Sequence, residues 1–143
     1  MAFFNKRKKA LQAALEKLKA AENRVIELEA NFQAIEQSVA MFGLTRDGII
    51  VTVSDVFLDM LGHQSHQLIG KHHRVLCESD YSGSEEYITF WRELVTGHVK
   101  EGRFTNVDAQ GQRVCVEARY LPVLNDKGIV SRIIALVNKA TVP

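Results

Sequence analysis

The sequence predicts an α+β fold, in which a long N-terminal helix precedes a five-stranded antiparallel sheet that carries its helices on one face. Three observations predict it. Apolar residues recur with a seven-residue step from Leu11 to Val39, strand-like runs follow within residues 41–53 and 102–137, and helical patterns lie between these two groups of strands. Strands contributed from both ends of a domain, with helices inserted between them, form an antiparallel sheet with helices on one side.

The composition is that of an ordinary globular protein. Of 143 residues, 46% are apolar and the net charge is +1, so no basic surface for nucleic acid is evident. No apolar run reaches the roughly 18 residues that span a membrane, and residues 1–9 lack the apolar core of a signal peptide. We therefore expect a cytoplasmic protein. Residues 3–9 are compatible with contact to an anionic membrane, although a solvated helix start is favoured.

Residues 1–40 read as a coiled-coil dimerisation helix. When the sequence is aligned in heptads from Leu11, apolar residues fill two positions of the heptad, three residues apart, which form two apolar columns. This pattern indicates a helix that supercoils with a partner helix. In a parallel homodimer this register places Lys17 opposite Glu22 and Arg24 opposite Glu29. The larger residues of the two columns, which we call the seam, are Leu11, Leu18, Val25, Leu28, Phe32, Ile35 and Val39, with Ala14 and Ala21 between them. A lone amphipathic helix lying on its own domain is the alternative.

Turn and cap signals divide the residues after this helix, which is expected to end near position 40. Residues 41–44 and 49–53 read as a hairpin about the turn at 46–48. The second run is almost entirely β-branched, which predicts a strand buried on both faces. Ser54 offers an N-cap for a short helix at 56–61.

The middle of the chain contains a second strong helix signal. Ser84 caps a helix that Gly97 ends, with two glutamates in its first turn. Its apolar residues recur at helical spacing and are Tyr87, Phe90, Trp91, Leu94 and Val95. Before it, residues 71–78 show no clear period and residues 79–83 read as a loop.

Three strands close the chain. They are predicted at residues 102–108, 112–121 and 129–137, separated by glycine-containing turns. Pro122 is expected to end the middle strand because it has no N–H to donate to a ladder.

Residues 41–141 resemble a PAS domain, over about seventy per cent of the chain. The matching positions are Asp47 and Gly48, residues 57–62, 68–71 and 90–97, Gly111, and residues 120–123 and 126–128. Residues 72–77, with Tyr81, Ser84 and residues 86–87 and 90–91, are similar to PAS domains of cytoplasmic methyl-accepting chemotaxis receptors of the aerotaxis and biofilm-dispersion types. The resemblance implies a PAS sensor domain at 41–141.

The resemblance also implies a pocket between sheet and helices, whose occupant stays open. Haem b is one candidate, with His72 or His73 as iron ligand. FAD is its rival, with Trp91 and the aromatic face around Tyr87 beside the ring and Arg74 at its polar edge. A pocket without cofactor is the third possibility. Cys115 completes the candidate cofactor-binding set at a position where related domains usually carry Trp.

Three other chemistries are disfavoured. LOV-type photosensors carry a cysteine where His73 stands, so light sensing is not expected. No catalytic triad, phosphate loop or pair of carboxylates stands out, so we expect no enzyme. His63 and His66, with His72 and His73, have no carboxylate or thiol at ligand spacing, and exposed loop histidines are expected instead of a metal site.

These features predict a sensory input module that reads a small ligand, a gas or a redox state and passes it to a dimeric helix. A ligand-free PAS domain that serves for dimerisation or protein interaction is the alternative. The output domain is expected to lie outside this chain. Ser54 stands where related domains usually carry Asn, and Lys139 where they carry Asp in the C-terminal output motif.

Overall fold

A computed structural model describes residues 1–139, which divide into two compact units, Met1–Ile35 and a second unit beginning at Glu36. The first unit is helix α1, Ala2–Glu36, none of whose residues is buried. The predicted domain boundary after residue 40 stays a prediction, and its other end, Thr141, lies outside the described residues.

Helix α1 ends four residues before the predicted position. Ala40 already pairs with Val137 in the sheet, so the chain must leave the helix and turn between Glu36 and Ala40. Val39 therefore does not lie on α1, and its inclusion in the seam was wrong. The six other seam residues lie on α1.

The second unit contains the predicted five-stranded antiparallel sheet. Its strands are listed in chain order: β1 Ala40–Thr45, β2 Ile50–Val53, β3 Lys100–Val107, β4 Arg113–Leu124 and β5 Val130–Lys139. The spatial order is β2-β1-β5-β4-β3, and every neighbouring pair is antiparallel. The first and last strands of the unit are therefore direct neighbours, which closes the domain around its inserted helices.

The helices between β2 and β3 cover one face of this sheet. They are α2 Asp55–Leu61, α3 Ser65–Leu68, a 3₁₀ helix His73–Leu76, α4 Ser79–Ser82 and α5 Glu85–Val95. The core lies between them and the sheet, and its largest fully buried apolar side chains are Tyr120, Phe42, Phe57, Leu44, Ile50, Leu61, Leu68, Leu76, Leu94, Ile133 and Val116. Burial of these side chains is the main stabilising contribution to the domain.

Ser54 confirms the predicted start of α2 and does more than cap it. Its Oγ accepts hydrogen bonds from the backbone N–H of Phe57 at 3.2 Å and of Met41 at 2.9 Å. One buried hydroxyl thus satisfies the helix start and joins it to β1.

Three predictions of local structure were wrong. Strand β2 is not buried on both faces, since Val51 and Thr52 are exposed on this edge strand. Strand β4 continues through Pro122 because pairing with β3 stops at Tyr120, so the missing N–H faces a free edge. Within residues 79–83, predicted as a loop, Ser79–Ser82 form α4, and the Ser82 and Gly83 N–H groups are bonded four residues back.

Candidate functional site

A buried histidine lies where the helices meet the sheet. His73 begins the 3₁₀ helix and is 2% exposed. Its Nδ1 lies 2.9 Å from the hydroxyl of Tyr87, on α5, and its Nε2 lies 2.8 Å from the hydroxyl of Tyr120, on β4. Because a neutral imidazole carries one N–H, one tyrosine accepts a hydrogen bond from the ring and the other donates one. The three side chains therefore connect three separate elements.

This cluster is uncharged at neutral pH. Burial, with a smaller effect of neighbouring His72, lowers the pKa of His73 to about 3. Burial also raises the pKa of Tyr87 and of Tyr120 above the ordinary tyrosine value. Charged forms are disfavoured because a low-dielectric interior replaces water around them.

Cys77 adds a thiol to the same cluster. Its Sγ lies 3.7 Å from His73 Nδ1. Burial raises the pKa of this thiol to about 12, although a hydrogen bond with Tyr87 opposes the rise. The thiolate is the reactive form of cysteine, so Cys77 is a polar core residue rather than a nucleophile near neutral pH.

Aromatic rings enclose His73 on several sides. Tyr87 is stacked on its ring at 5.9 Å and Phe90 at 6.1 Å between centroids, while Trp91 meets it edge to face at 5.6 Å. Phe42 of β1 approaches at 5.9 Å. The polar cluster is thus surrounded by the apolar core, which strengthens its hydrogen bonds and makes their loss costly.

The backbone before His73 runs beside β2 and holds the histidine in place. The N–H of His73 donates to the Gly48 carbonyl at 2.8 Å, and Ile50 exchanges bonds of 2.8 Å with Gly70 and Lys71. Gly48 has a φ of +87°, and a Cβ there would lie 2.7 Å from His72 Nε2 and 3.1 Å from the Trp91 ring. Only glycine suits both this conformation and this close approach.

His72 and Arg74 lie at the outer end of this arrangement. His72 is partly exposed, and its Nδ1 accepts hydrogen bonds from Arg74 N–H at 3.0 Å and Nε–H at 3.2 Å. Burial and the Arg74 charge lower the pKa of His72, while a hydrogen bond with the Asp47 backbone raises it. The centroid of the His72 ring also lies 5.7 Å from that of the Trp91 ring. His72 thus caps the 3₁₀ helix and contacts the cluster through Trp91.

Four of the five predicted cofactor-binding residues, His72, His73, Arg74 and Trp91, lie in this region. The expectation that all loop histidines are exposed was wrong for His73, which is buried. Sequence reasoning placed Tyr87 beside a flavin ring rather than against His73, and it did not select Tyr120 or Cys77 as site residues. The available signal was the shared apolar face of α5 and the alternation of β4, which direct both tyrosines inward.

Cys115 does not belong to the cluster. Side chains alternate along a strand, and the core of β4 receives Val116 and Ala118. Glu117 and Arg119 form ion pairs with β3 on the opposite, outer face. Cys115 has the same parity as this charged pair, so it lies across the sheet from His73.

Asn106 is a buried polar residue that the sequence did not highlight. It lies on β3, is 2% exposed, and pairs with Cys77 through an isolated antiparallel β-bridge of the backbone. Within residues 1–139 its Nδ2 has no hydrogen-bond acceptor. An unsatisfied buried amide costs about 1–3 kcal/mol.

Neither haem nor flavin fits the packing described here. Iron ligation requires a free imidazole nitrogen, whereas both His73 nitrogens are bonded to tyrosines. His72 is engaged as well, since its Nδ1 accepts from Arg74 and its ring forms a hydrogen bond with the Asp47 backbone. The space between sheet and helices is filled by side chains, including fully buried Phe42, Phe57 and Tyr120. Within residues 1–139, no three His, Cys, Asp or Glu side chains are grouped to hold a metal ion, and no helix is long and apolar enough to cross a membrane.

The sequence profile of the PAS domain matches residues 38–139. The chain belongs to the PAS domain family. The biofilm dispersion protein BdlA of Pseudomonas aeruginosa is 33% identical over 101 residues, which are 71% of this chain and 24% of that protein. This PAS chain therefore spans about a quarter of the length of that relative.

Solved structures agree with the fold. The PAS domain of an HTR-like protein from Haloarcula marismortui has a TM-score of 0.68 at 18% identity, over 85% of this chain and 99% of that one. The LOV protein of Rhodobacter sphaeroides has a TM-score of 0.65 at 16% identity, over 74% of this chain and 61% of that one. At these identities the likeness shows the fold alone.

Proposed function

We propose that this PAS domain is the cytoplasmic sensory input module of a methyl-accepting, chemotaxis-type receptor. The observation that carries the proposal is the His73, Tyr87 and Tyr120 cluster, which joins helices to sheet through hydrogen bonds in the core. The similarity to BdlA supports a role in signalling. A small polar molecule that replaces one tyrosine hydroxyl as a partner of His73 would shift the balance between two packings, and a preference of a few kcal/mol is enough for such a shift.

Strand β1 provides a route from this cluster to the N-terminal helix. Phe42 of β1 contacts the His73 ring at 5.9 Å and the Tyr120 ring at 6.0 Å. Strand β1 begins at Ala40, shortly after α1 ends at Glu36. A displacement of the cluster therefore acts on the strand that directly continues from α1 along the chain.

The proposed output is the geometry of a parallel homodimer formed by α1. The six seam residues on α1 are 42–62% exposed in a single copy, so their apolar stripe lacks the burial that such a pattern normally obtains. A second copy aligned in parallel would bury it. Lys17 with Glu22 and Arg24 with Glu29 would then favour the parallel orientation, although Arg24 also lies 3.4 Å from Glu27 within one helix.

Tyr87→Phe tests the coupling between cluster and dimer. It deletes one hydroxyl bonded to His73 and keeps the ring. We expect the dimer dissociation constant, measured by sedimentation equilibrium, to change about threefold or more. Such a change requires that only part of the roughly 1 kcal/mol contributed by one hydrogen bond reaches the dimer interface. Tyr81→Phe is the matched control, because its hydroxyl is not a partner of the His73 ring. Equal constants for all three proteins would contradict transmission from the cluster.

The filled core favours a second function, a ligand-free PAS domain that serves for dimerisation or protein interaction. Fully buried Phe42, Phe57 and Tyr120 occupy the space that a planar cofactor needs. This function also predicts a dimer but no transmission from His73. Unchanged dimerisation in Tyr87→Phe would favour it.

An absorption spectrum tests the mismatch with haem and flavin. The purified chain is expected to show only the ultraviolet bands of its aromatic residues. Added hemin is expected to bind the wild-type chain no more tightly than it binds the His73→Ala variant. Both nitrogens of His73 are engaged, so ligation would require the loss of a buried hydrogen bond. A Soret band that disappears in His73→Ala but persists in His72→Ala would overturn this expectation and establish His73 as the iron ligand.

A further inference from the structure

The start of α1 has an aromatic and basic surface that the PAS fold does not use. Phe3 and Phe4 are 62% and 70% exposed, and their rings lie edge to face at 6.3 Å. Four consecutive basic residues follow at positions 6–9, all exposed. The first acidic residue of the chain is Glu16. We call residues 3–9 the basic aromatic segment.

The helix arranges this segment as an amphipathic surface. At about 100° per residue, Phe3, Phe4 and Leu11 lie within roughly a third of the circumference, and Lys6 and Lys8 flank that sector on either side. Arg7 lies within it, with its guanidinium 4.5 Å from the Phe3 ring centre. Aromatic side chains with basic residues beside them are typical of helices that lie in the interface of a membrane.

The charge of the partner follows from the helix dipole. The N-terminal end of α1 carries the positive pole, where acidic residues normally compensate it. The first turn of α1 contains none, and the basic residues at 6–9 add further positive charge. An anionic surface would neutralise both contributions, whereas a neutral or basic partner would leave them unrelieved.

The proposed dimer would leave this segment uncovered, and in this respect the inference rests on the proposed function. Phe4 continues the seam column of Leu11. Arg7, however, occupies the second column, where two parallel copies would bring like charges together. The seam therefore begins at Leu11, and two basic aromatic segments would project side by side from its end.

We propose that residues 3–9 bind the anionic surface of a lipid bilayer as a peripheral anchor. Phe3 and Phe4 insert among the headgroups, while Lys6 and Lys8, on either side of them, lie close to lipid phosphates and carboxylates. The two exposed phenylalanines favour a bilayer over nucleic acid, because they gain free energy by leaving water.

Co-sedimentation of the full chain with vesicles tests the anchor. Binding is expected to vesicles of phosphatidylcholine with about one quarter phosphatidylserine, and to fall about tenfold or more on pure phosphatidylcholine. Raising the salt from about 0.1 M to about 0.5 M should weaken it strongly, since the charges are exposed. Equal binding to both vesicle types, or stronger binding to duplex DNA than to anionic vesicles, would overturn the proposal.

Paired variants separate the two contributions. Lys6→Glu with Lys8→Glu should reduce binding at least about tenfold, and Phe3→Ser with Phe4→Ser should reduce it comparably at low salt. Lys19→Glu with Lys127→Glu makes the same charge change elsewhere and should retain binding. Equal loss in this control, or no loss in the phenylalanine variant, would contradict the anchor.

Sedimentation without lipid distinguishes failure of the anchor from failure of the dimer. A dimer that does not bind anionic vesicles overturns the anchor alone. A monomer that binds them, with the variant pattern above, overturns the dimer and leaves the anchor in place.

Discussion

Acidification from pH 7 towards pH 4 is expected to destabilise the PAS domain, because His73 must lose its proton to fold. Burial lowers the pKa of His73 to about 3, while an unfolded histidine titrates near 6.5. Between these values the unfolded chain binds more protons than the folded one, so stability is complete above about pH 6.5 and is lost as the pH falls towards about 3. One such proton contributes up to about 1.4 kcal/mol per pH unit. Urea unfolding at several pH values measures the slope.

Two variants isolate the contribution of His73. His73→Leu should remove most of this slope, whereas His66→Gln, which changes an exposed histidine, should preserve it. The lowered pKa of His72 contributes in the same direction and persists in both variants. A wild-type slope that survives in His73→Leu would contradict the assignment.

His73→Leu is also expected to lower stability at pH 7. It leaves the hydroxyls of Tyr87 and Tyr120 buried without their partner, at about 1–3 kcal/mol each. Adding Tyr87→Phe and Tyr120→Phe removes the orphaned hydroxyls and should recover part of the loss. Failure to recover any would show that the loss comes from packing rather than from unsatisfied polar groups.

Leu28→Asp is expected to abolish the proposed dimer. Leu28 lies in the centre of the seam and is 48% exposed in one copy, and a carboxylate there would be buried against its counterpart in the partner helix. Ile26→Asp is the matched control, because Ile26 is exposed on the same helix but outside both seam columns. Sedimentation equilibrium at micromolar concentration should give a monomer for the first variant and a dimer for the second. A monomeric wild-type chain would contradict the seam itself.

The orientation of the dimer is tested by cross-linking. In a parallel pair each residue of a seam column faces its own counterpart. Ala14→Cys in a Cys115→Ser background should therefore form an intermolecular disulfide readily. Glu16→Cys, outside the seam columns, should not. Cross-linking at both positions or at neither would argue against parallel packing.

Local patterns were sufficient to predict most elements of the fold. The heptad step located α1, and the cap at Ser54 and the helical spacing after Ser84 located α2 and α5, because capping and amphipathic periodicity act over a few residues. The boundaries that failed depend on distant partners. Helix α1 ends early because Ala40 pairs with Val137, and β4 passes Pro122 because β3 no longer pairs there.

The candidate site was only partly visible in the same patterns. Two adjacent histidines stood out, yet their sequence neighbours do not distinguish a buried ring from an exposed one. His73 became buried because its partners, Tyr87 and Tyr120, lie 14 and 47 residues along the chain. The parity of β4 would have excluded Cys115, since it shares its face with Glu117 and Arg119.

By itself, the sequence determined the long helix with its apolar stripe and the antiparallel sheet with helices inserted between its strands. Tertiary structure decided which histidine enters the core, which tyrosines satisfy it and that side chains fill the space around it. The physical reason is range. Propensity, capping and periodicity act between near neighbours, whereas burial and the satisfaction of a buried imidazole depend on segments that only folding brings together.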